Sequence, residues 1–467
     1  MKKIKRLGKE TLIYGTSTVI ARLLNFCLVP FYTYYLATED YGVVATVFSF
    51  LALFNIIYQY GMDQAYLRFT SEEGQDKKES FSTAYISVFC SSIILSLILL
   101  ISAPLWASLL GIGAEFAFLI RLCAAVLFLD ALTVIPFAKL RLQHRSWRFV
   151  TVRTIGICVN VGFNIFFLAK TSFGLKGIFY ASVLASAVSL ILLIPVISED
   201  LRLKFSRPLI KRMFKFAWPF VPSGMASILV NVIDKPLLVY LAGLSVVGIY
   251  QANFKVGVFM MLIVSMFDQA WRPFFLQHAK DENAKELFAK VLTYFSAFAL
   301  WVLFGLVFLM PEIIKTPVFG YYFIHPKYWD GIKIIPYILT GYFFYGIYIN
   351  FMVAPILTKK TKILMLVTLL GAAVSICTNI ILVPKIGIAG AGCAILLSYI
   401  SMALSMFLFT CKHYPIKYEY KRLAGLALLS AVMVGVNHFY PALAVKIILL
   451  TLFPFIAFGI SYSKETN

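Results

Sequence analysis

Six charged residues lie deep inside long apolar segments of this sequence. They are Arg22, Arg121, Asp130, Asp234, Lys235 and Lys255. A charged side chain at membrane depth costs at least about 2.5–3.5 kcal/mol on insertion scales, so it faces a protein interior or a water-filled cavity. Such residues mark a pathway through the membrane unless they pair with one another. Because cations outnumber acids in this set, the pathway is predicted to be net basic.

The segment Phe214–Gly243 combines two of these charges with residues that interrupt helices. Asp234 and Lys235 lie in its outer half, and Pro219, Pro222 and Gly224 lie in its inner half. Proline and glycine leave backbone groups of a membrane helix without their hydrogen-bond partners. Such groups are tolerated only where neighbouring protein or a water-filled cavity supplies the hydrogen bonds. The segment is therefore predicted to be a helix that lines a cavity and bends at the proline–glycine cluster. The alternative explanation is that these residues only allow the helix to pack against its neighbours.

The composition is that of a polytopic membrane protein. Of the 467 residues, 61% are hydrophobic and 13% are charged, whereas soluble domains average about 45–50% apolar and about 25% charged residues. Windows long enough to span a bilayer, which needs roughly 20 residues, lie at residues 11–36, 42–61, 81–104, 115–137, 149–169, 175–197, 214–241, 247–269, 288–310, 332–357, 362–383, 388–411, 421–439 and 442–461. We therefore predict an all-α polytopic membrane protein with about 14 transmembrane helices.

Lysine and arginine are distributed unequally between the loops on the two sides of these windows. With the N-terminus placed in the cytoplasm, the cytoplasmic segments carry most of the 42 basic residues. This is the positive-inside asymmetry, and it places both termini in the cytoplasm. The basic first residues are predicted to belong to a retained first helix. The net charge of +21 requires no nucleic-acid partner, because anionic lipid headgroups suffice.

Sequence motifs of enzymes and metal proteins are missing. The seven cysteines form no CxxC pair, and the five histidines form no HxxH or HExxH pair. The sequence also lacks a P-loop, a GxSxG elbow and a dinucleotide-binding fingerprint. We therefore predict a protein that is not an enzyme. It should hold no metal and no cofactor other than a coupling proton or sodium ion.

An internal repeat divides the chain. The run from Pro30 to Gly42 matches the run from Pro236 to Gly248 with the same proline-to-glycine spacing, and NIFFLAKTSFGLKG from Asn164 matches NIILVPKIGIAG from Asn379. Six helices separate the copies, so both copies enter the membrane from the same side, as in parallel-repeat transporters. The predicted parts are an N-terminal lobe at residues 1–197, a basic cytoplasmic linker helix at 198–213, a C-terminal lobe at 214–411 and two further helices at 412–467.

Two strings of residues resemble a known family. They are Asp234-Lys235-Pro236…Gly248-Ile249-Tyr250…Lys255, with the Glu39-Asp40-Tyr41-Gly42 turn, and Asn379…Gly387-Ile388-Ala389-Gly390-Ala391. The sequence resembles the polysaccharide and O-antigen flippases (Wzx-type) of the multidrug/oligosaccharidyl-lipid/polysaccharide exporter superfamily over essentially the whole chain. The resemblance implies a V-shaped pair of six-helix lobes, alternating access, and transbilayer movement of an isoprenoid-pyrophosphate-linked oligosaccharide. The last two helices are similar to those of flippases and absent from twelve-helix drug exporters.

The implied cargo assigns roles to the deep polar residues. A pyrophosphate needs cations at membrane depth because a bare anion there is costly, and arginine and lysine suit phosphate. We predict Arg22, Lys255 and Lys235 as pyrophosphate-binding residues, and Asn25, Gln251, Tyr345 and Tyr348 as sugar contacts. The alternative for the cations is an intramembrane salt bridge, for example of Arg22 or Lys255 with Asp234. The alternative for the tyrosines is an interfacial aromatic belt.

Two acids are candidates for carrying a coupling ion. Asp234 and Asp130 lie where desolvation disfavours a bare carboxylate, so either one suits a proton or a sodium ion. The alternative for Asp234 is charge balance with the adjacent Lys235. Asn160 and Asn164 are instead predicted to form hydrogen bonds between helices.

The sequence thus predicts a bacterial inner-membrane flippase that feeds surface-polysaccharide assembly. It would act as a monomer among membrane lipids, with a lipid-linked oligosaccharide as substrate and other polysaccharide-assembly proteins as candidate partners. One alternative is a cation-coupled multidrug antiporter of the same fold, which would have an acidic rather than a net-basic deep cluster. Another is a scaffold, or a glycosyltransferase or ligase of the pathway. An enzyme should show a catalytic carboxylate motif in a long external loop. The only acidic residues of loop 311–333, the longest predicted external loop, are Glu312 and Asp330, and they lie far apart in the sequence.

Overall fold

The computed structural model describes residues 19–20, 22–72, 76–202, 204–360 and 362–462. The helices in these ranges are α1 (22–35), α2 (Thr38–Gln59), α3 (Met62–Thr70), α4 (Lys77–Leu109), α5 (Ala117–Leu142), α6 (Ser146–Lys170), α7 (Leu175–Ser198), α8 (Arg207–Ala217), α9 (Phe220–Val232), α10 (Asp234–Ala242), α11 (Leu244–Phe254), α12 (Val258–His278), α13 (Ala284–Lys315), α14 (Ile335–Phe351), α15 (Val353–Leu357), α16 (Lys362–Ile386), α17 (Ile388–His413), α18 (Tyr420–Phe439) and α19 (Leu443–Tyr462). Over the described residues no strand forms beyond an isolated bridge between Val318 and Tyr321.

The described helices are those of a multi-pass membrane protein. Twelve helical segments within these ranges are long and apolar enough to cross a membrane, and Leu443–Ala457 is a shorter apolar segment. The predicted first window, 11–36, lies largely outside the described residues, and α1 is its described part. With α1 and α19, the helical segments correspond to the predicted windows, so the all-α membrane fold is confirmed.

The chain forms two compact units, Met1–Gln251 and Ala252–Asn467. In the first unit α5 packs against α4 and α7, and α2 packs against α5 and α9. In the second unit α14 and α16 both pack against α17. The predicted parts 1–197, 198–213, 214–411 and 412–467 remain predictions.

Local backbone geometry repeats where the sequence does. Gly174 precedes α7 with φ 53° and ψ −134°, and Gly387 precedes α17 with φ 59° and ψ −138°. A positive φ of this kind favours glycine at both junctions. Asn164 and Asn379 are both buried, and each donates from its side chain to the carbonyl four residues earlier at 2.8 Å. The two matched sequence runs therefore adopt the same helix junction.

The linker after α7 differs from the prediction of one helix at 198–213. The described residues between α7 and α8 are not helical. Helix α8 starts with Pro208 in its first turn, where proline's fixed φ and missing N–H are tolerated. It then continues to Ala217. The linker helix therefore starts and ends later than the charge pattern predicts.

The predicted span at 214–241 is three helices rather than one. Pro219 lies between α8 and α9, and Ile233 lies between α9 and α10. The interruption at Pro219 falls where a bend was predicted. Gly224 lies inside α9, where an added methyl group would approach Ile56 Cγ2 of α2 to 3.1 Å. Gly224 therefore allows close packing of α9 against α2, as the alternative explanation proposes.

The last two helices are attached to α13 in the second unit. Lys446 Nζ lies 2.6 Å from Glu312 Oε1, and Trp301 Nε1 donates to the Leu450 carbonyl oxygen at 3.0 Å. Lys446 is buried although it is a lysine, so its partner is needed to offset the loss of hydration. These contacts fix α19 against α13.

Candidate functional site

Asp234 and Lys235 form a buried ion pair in the first unit. Lys235 Nζ lies 3.0 Å from Asp234 Oδ1 and also donates to the Asn231 carbonyl oxygen at 3.2 Å. The second carboxylate oxygen accepts a hydrogen bond from the Tyr250 hydroxyl. Asp234 is 1% exposed and Lys235 is 5% exposed. Buried charges need such additional hydrogen bonds to offset their desolvation. This arrangement is the charge balance raised as the alternative for Asp234.

The local sequence places this pair at the start of α10. Asp234 is the first residue of that helix, and its Oδ1 accepts a hydrogen bond from the Lys235 backbone N–H at 3.0 Å. Pro236 in the first turn of the same helix has no N–H that would need a partner. The sequence Asp-Lys-Pro therefore builds a helix start that holds two opposite charges together.

A second polar cluster surrounds Asp130 in the first unit. Ser186 Oγ donates to Asp130 Oδ1 at 2.7 Å, which joins α5 to α7. Both residues line a cavity of about 200 Å³. The other polar residues that line it are Asn25, Thr133, Arg153, Asn160 and Ser189. Helices α1, α5, α6 and α7 thus bring hydroxyl, amide, carboxylate and guanidinium groups together, a set that can hold water or a small ion.

Arg153 supplies the positive charge of this cavity. Its guanidinium carbon lies 4.4 Å from the ring centroid of Phe137 and 5.7 Å from that of Phe149, within cation–π distance. The two rings pack edge to face at 5.0 Å. Arg153 is therefore held in place by aromatic side chains while it shares a cavity with Asp130.

Helix α1 carries two of the predicted site residues. Arg22 is half-buried, and Asn25 follows one turn later. Asn25 lines the same cavity as Asp130. A predicted sugar contact is therefore brought next to a predicted ion-coupling acid, an association that the sequence does not indicate.

The two asparagines of α6 connect neighbouring helices. Asn164 Oδ1 accepts a hydrogen bond from the Tyr32 hydroxyl of α1 at 3.0 Å. Asn160 Nδ2 donates to Ser182 Oγ of α7 at 3.4 Å. The predicted inter-helix hydrogen bonds are confirmed, and they connect α6 to α1 and to α7.

Lys255 lies at an interruption inside a membrane-spanning segment. A single 3₁₀ turn, Lys255–Gly257, separates α11 from α12 within the span Leu244–His278. Such turns inside a long helix often mark a functional hinge. Lys255 is half-buried. An added methyl group at Gly257 would lie 2.7 Å from Ile338 Cγ2 of α14, so this turn is held tightly against its neighbour.

Gln251 lies one turn before Lys255 in the sequence. It is half-buried, and its side-chain oxygen is buried without a hydrogen-bond donor among the described residues. Buried acceptors are almost always paired. Gln251 therefore has an acceptor available for a donor from water or a ligand hydroxyl.

The predicted sugar-contacting tyrosines belong to an aromatic cluster in the second unit. Tyr345 stacks on Tyr348 at 5.9 Å and packs against Tyr399 of α17 at 5.0 Å. Tyr348 is buried and Tyr345 is half-buried. The cluster joins α14 to α17 inside the unit. Tyr345 is therefore the more accessible of the two residues.

A close crossing of α2 and α11 lies within the first unit. An added methyl group at Gly42 would lie 2.0 Å from the Leu244 carbonyl oxygen, and one at Gly248 would lie 1.9 Å from the Thr38 carbonyl oxygen. The hydroxyls of Thr38 and Ser245 are hydrogen-bonded at 2.7 Å. Only residues without a β-carbon permit the two helix starts to approach this closely.

Sequence reasoning missed Arg153 and the serines of α7. Arg153 is not among the six deep charged residues that the sequence indicated, although it shares the cavity with Asp130. The signal that could have found this cavity is the series Ser182, Ser186 and Ser189 in an otherwise apolar helix. That spacing places the three hydroxyls on one helix face.

The family follows from comparison with known proteins. The model of a family described as "polysaccharide biosynthesis protein" matches residues 35–323. The chain belongs to this family. No curated protein matches the sequence at a significant level.

Solved structures show which fold this family member adopts. The lipid II flippase MurJ in an inward closed conformation matches with a TM-score of 0.78 and 18% identity over 97% of this chain and 99% of that chain. An inward-facing multidrug resistance MATE family transporter of the MOP superfamily matches at 0.63 and 14% identity, over 88% and 99%. The Vibrio cholerae MATE transporter VcmN in the bent form matches at 0.59 and 13% identity, over 88% and 96%. The family member therefore has the fold shared by MurJ and MATE transporters, and the resemblance seen in its sequence is confirmed.

Proposed function

We propose that this member of the polysaccharide biosynthesis family is a flippase. It moves an isoprenoid-pyrophosphate-linked oligosaccharide from the cytoplasmic to the outer leaflet of a bacterial inner membrane, with both termini in the cytoplasm. Membership of the family supports the polysaccharide pathway, and the fold shared with the lipid II flippase MurJ supports transport. A monomer suffices, because one chain contains both copies of the repeat.

The observation that carries the proposal is the position of Lys255. This half-buried cation lies at a 3₁₀ interruption inside a spanning segment. Irregular backbone at membrane depth is tolerated where it is buried in protein or lines a water-filled cavity, and a lysine there provides a point charge for phosphate. Arg22, half-buried in α1, is proposed as the second pyrophosphate ligand. Its fork-shaped guanidinium suits two phosphate oxygens.

The ion pair of Asp234 and Lys235 suggests how cargo binding is coupled to an ion. Asp234 holds Lys235 Nζ at 3.0 Å, so Lys235 is not available to an anion while this pair is intact. A proton or a sodium ion on Asp234 would weaken the pair and release Lys235 toward the pyrophosphate. Lys235 is therefore proposed as a conditional ligand.

Asp130 is proposed as a second coupling position. Asn25, Ser186 and Ser189, whose side chains carry oxygens, line the same cavity. Arg153 in the same cavity provides the balancing charge when no ion is bound. Under this proposal the binding of an ion at Asp130 changes the balance of charge inside the first unit.

The crossing of α2 and α11 supports access to the cargo from the cytoplasm. In the predicted orientation, the starts of both helices lie at the outer face. Their contact through Gly42 and Gly248 closes that face in the first unit. Release to the outer leaflet then requires these helix starts to separate.

Surface polysaccharide in a strain that lacks the chromosomal copy provides the test. We expect Arg22→Ala and Lys255→Ala to abolish it while protein level and membrane insertion remain those of wild type. Arg121→Ala is the matched control, since Arg121 is an exposed cation of α5, and it should support normal levels. Wild-type polysaccharide in both of the first two variants would refute the assignment of these residues.

A multidrug antiporter of the same fold is the second candidate. Structural similarity to MATE transporters favours it. Expression in a drug-sensitive host separates the two functions, because an antiporter would raise drug resistance. The flippase is expected to leave resistance unchanged and to restore polysaccharide in its own pathway.

A further inference from the structure

Lys139 is a fully buried lysine that the proposed transport site does not use. It lies near the cytoplasmic end of α5 in the predicted orientation and is 1% exposed. Its ammonium group donates to the Val196 carbonyl oxygen at 2.8 Å and lies 3.1 Å from Glu199 Oε2 and 2.7 Å from Asp200 Oδ2. A lysine ammonium has three protons, so these three oxygens satisfy it.

All three acceptors come from one short segment, the end of α7 and the two residues after it. The carbonyls in the last turn of a helix have no partner within the helix, and a cation there is favoured by the helix dipole. Lys139 therefore fixes the point at which the chain leaves α7. Its Nζ also lies 5.1 Å from the ring centroid of Phe81 in α4.

The segment after α7 is held by α4 as well. Ser82 Oγ donates to the Asp200 carbonyl oxygen at 3.2 Å and accepts a hydrogen bond from the Arg202 backbone N–H at 2.8 Å. The Ser206 backbone N–H donates to Thr83 Oγ1 at 3.2 Å. Side chains of α4 thus provide the backbone hydrogen bonds that a helix or strand would otherwise supply.

Two arginines at the start of α6, one just before the helix and one in its first turn, reinforce the same segment. Arg145 Nη1 lies 3.0 Å from both carboxylate oxygens of Glu199, and Arg148 Nη1 lies 3.8 Å from Oε1. Glu199 therefore joins α5, α6 and the segment after α7. We call this set of contacts, centred on Lys139, Ser82 and Glu199, the linker clamp.

Helix α8, which follows the segment, is also fixed to the first unit. Arg212 Nη2 lies 2.8 Å from Glu72 Oε2, and its guanidinium carbon lies 5.0 Å from the ring centroid of Phe69 in α3. Arg68 packs over Phe216 at 4.5 Å. The first interruption beyond these contacts is at Trp218–Pro219, between α8 and α9.

We propose that Lys139 is a positioning residue that keeps residues 199–202 and 204–206 attached to α4 and α5 throughout transport. Helix movement toward the cargo-binding residues then begins at Trp218–Pro219 rather than in the linker. Only the direction of this helix movement depends on the proposed transport function. The clamp itself can be measured without any cargo.

Limited trypsin digestion of the full-length protein in nanodiscs tests the clamp directly. Arg202 and Lys204 have exposed side chains but lie in a backbone held by Ser82 and Thr83, so cleavage after them should be slow in the wild type. In Lys139→Met we expect this cleavage to accelerate by at least about fivefold, because local opening becomes easier. Cleavage after the exposed Lys280, in the turn between α12 and α13, should not change.

Lys446→Met is the matched control variant, since it also removes a buried lysine from an ion pair with an acid. It should leave cleavage after Arg202 and Lys204 at the wild-type rate. If Lys139→Met does not fold, Glu199→Gln and Asp200→Asn should each accelerate the same cleavage. Unchanged cleavage in the variants that fold, or an equal rise after Lys280, would overturn the proposal.

A disulfide tests whether the clamp must open during transport. In a background without native cysteines, oxidation of Ser82→Cys with Arg202→Cys ties the segment to α4. We expect cargo flipping in proteoliposomes to persist after oxidation. Loss of flipping that is restored by a reductant would show that the segment has to move, and the proposal would be wrong. A protein that does not flip the cargo before or after oxidation would instead argue against the proposed cargo. The trypsin digestion would still show whether Lys139 holds the segment.

Discussion

Gly42 and Gly248 face each other's helices at equivalent positions of the internal repeat. The backbone of Gly42 in α2 lies against the Leu244 carbonyl of α11, and that of Gly248 in α11 lies against the Thr38 carbonyl of α2. The sequence repeat that aligns Gly42 with Gly248 also aligns Thr38 with Leu244. Two copies of one sequence pattern therefore form a reciprocal contact with each other.

Gly42→Ala or Gly248→Ala should prevent this crossing. The new methyl carbon would lie 2.0 Å from the Leu244 carbonyl oxygen or 1.9 Å from the Thr38 carbonyl oxygen, well inside van der Waals contact, so α2 and α11 must separate. Disulfide formation between Thr38→Cys and Ser245→Cys, whose hydroxyls are 2.7 Å apart in the wild type, reports the crossing. We expect either alanine to slow cross-linking by at least about tenfold through a shift in population.

Gly162→Ala provides the control for the glycine variants. Gly162 lies in α6, and among the described residues no atom beyond its chain neighbours and the adjacent backbone of its own helix lies within 4 Å of the position that a methyl group would take. Cross-linking in this variant should match the wild type. If Gly42→Ala and Gly248→Ala also cross-link at the wild-type rate, the closed crossing does not exist in the membrane.

Lys235→Met should destabilise the protein more than the double variant Lys235→Met/Asp234→Asn. Removal of Lys235 leaves Asp234 buried without its cation, at a cost of about 3–5 kcal/mol. Replacement of both charges removes the unpaired carboxylate and should recover much of that loss. Thermal unfolding in nanodiscs measures the difference. Equal destabilisation in the single and double variants would contradict the account of a closed buried ion pair.

Asp130→Asn should reduce the dependence of transport on an imposed ion gradient. Asparagine keeps an oxygen that can accept a hydrogen bond from Ser186 but loses the carboxylate charge beside Arg153. We expect flipping in proteoliposomes to respond less to a proton or sodium gradient than in the wild type, with protein level unchanged. Ser186→Ala removes only the hydrogen bond and should retain the response. A full response in Asp130→Asn would exclude Asp130 as a coupling position.

The linker clamp should weaken in acid through Glu199. Burial opposes ionisation of this group, but hydrogen bonds from Arg145 and Lys139 outweigh it and hold the pKa of Glu199 below its usual value of 4.5. A lowered folded-state pKa means that the stabilisation is complete above the unfolded-state pKa and is lost as pH falls through the folded-state pKa.

Thermal unfolding of the wild type and of Glu199→Gln from neutral to acidic pH measures this contribution. The wild type should be the more stable of the two above about pH 4.5, and the difference should shrink as the pH falls further. A difference that stays constant over the whole range would show that the ionised Glu199 does not stabilise the clamp.

Much of the fold could be predicted because a bilayer imposes simple rules on sequence. Span length, loop charge and repeat matches identified the helices and the junctions at Gly174 and Gly387. The linker helix was misplaced because the basic run at 198–213 signals a cytoplasmic surface but not where a helix begins. Its start depends on Pro208 and on contacts of the preceding segment with α4 and α5.

The candidate site was predictable only in part because sequence spacing does not show which helices meet. The adjacency of Asp234 and Lys235 made their pairing foreseeable. The contact of Asp130 with Ser186 joins two helices, and the sharing of its cavity with Arg153 depends on the packing of α5, α6 and α7. By its position in the sequence, Lys139 is one of the basic residues of a predicted cytoplasmic loop. Its burial depends on acids that follow α7, which charge counting does not reveal.

Reconstitution of the purified protein tests the central claim most directly. Proteoliposomes carrying a fluorescent isoprenoid-pyrophosphate-linked oligosaccharide would be assayed for its movement between leaflets under imposed proton or sodium gradients. We predict rapid flipping by the wild type, slow flipping by Arg22→Ala and Lys255→Ala, and no comparable movement of the lipid-linked oligosaccharide in liposomes without protein. Flipping that is absent in the wild type, or equally fast in all three proteins, would contradict a cation-lined route for a lipid-linked pyrophosphate.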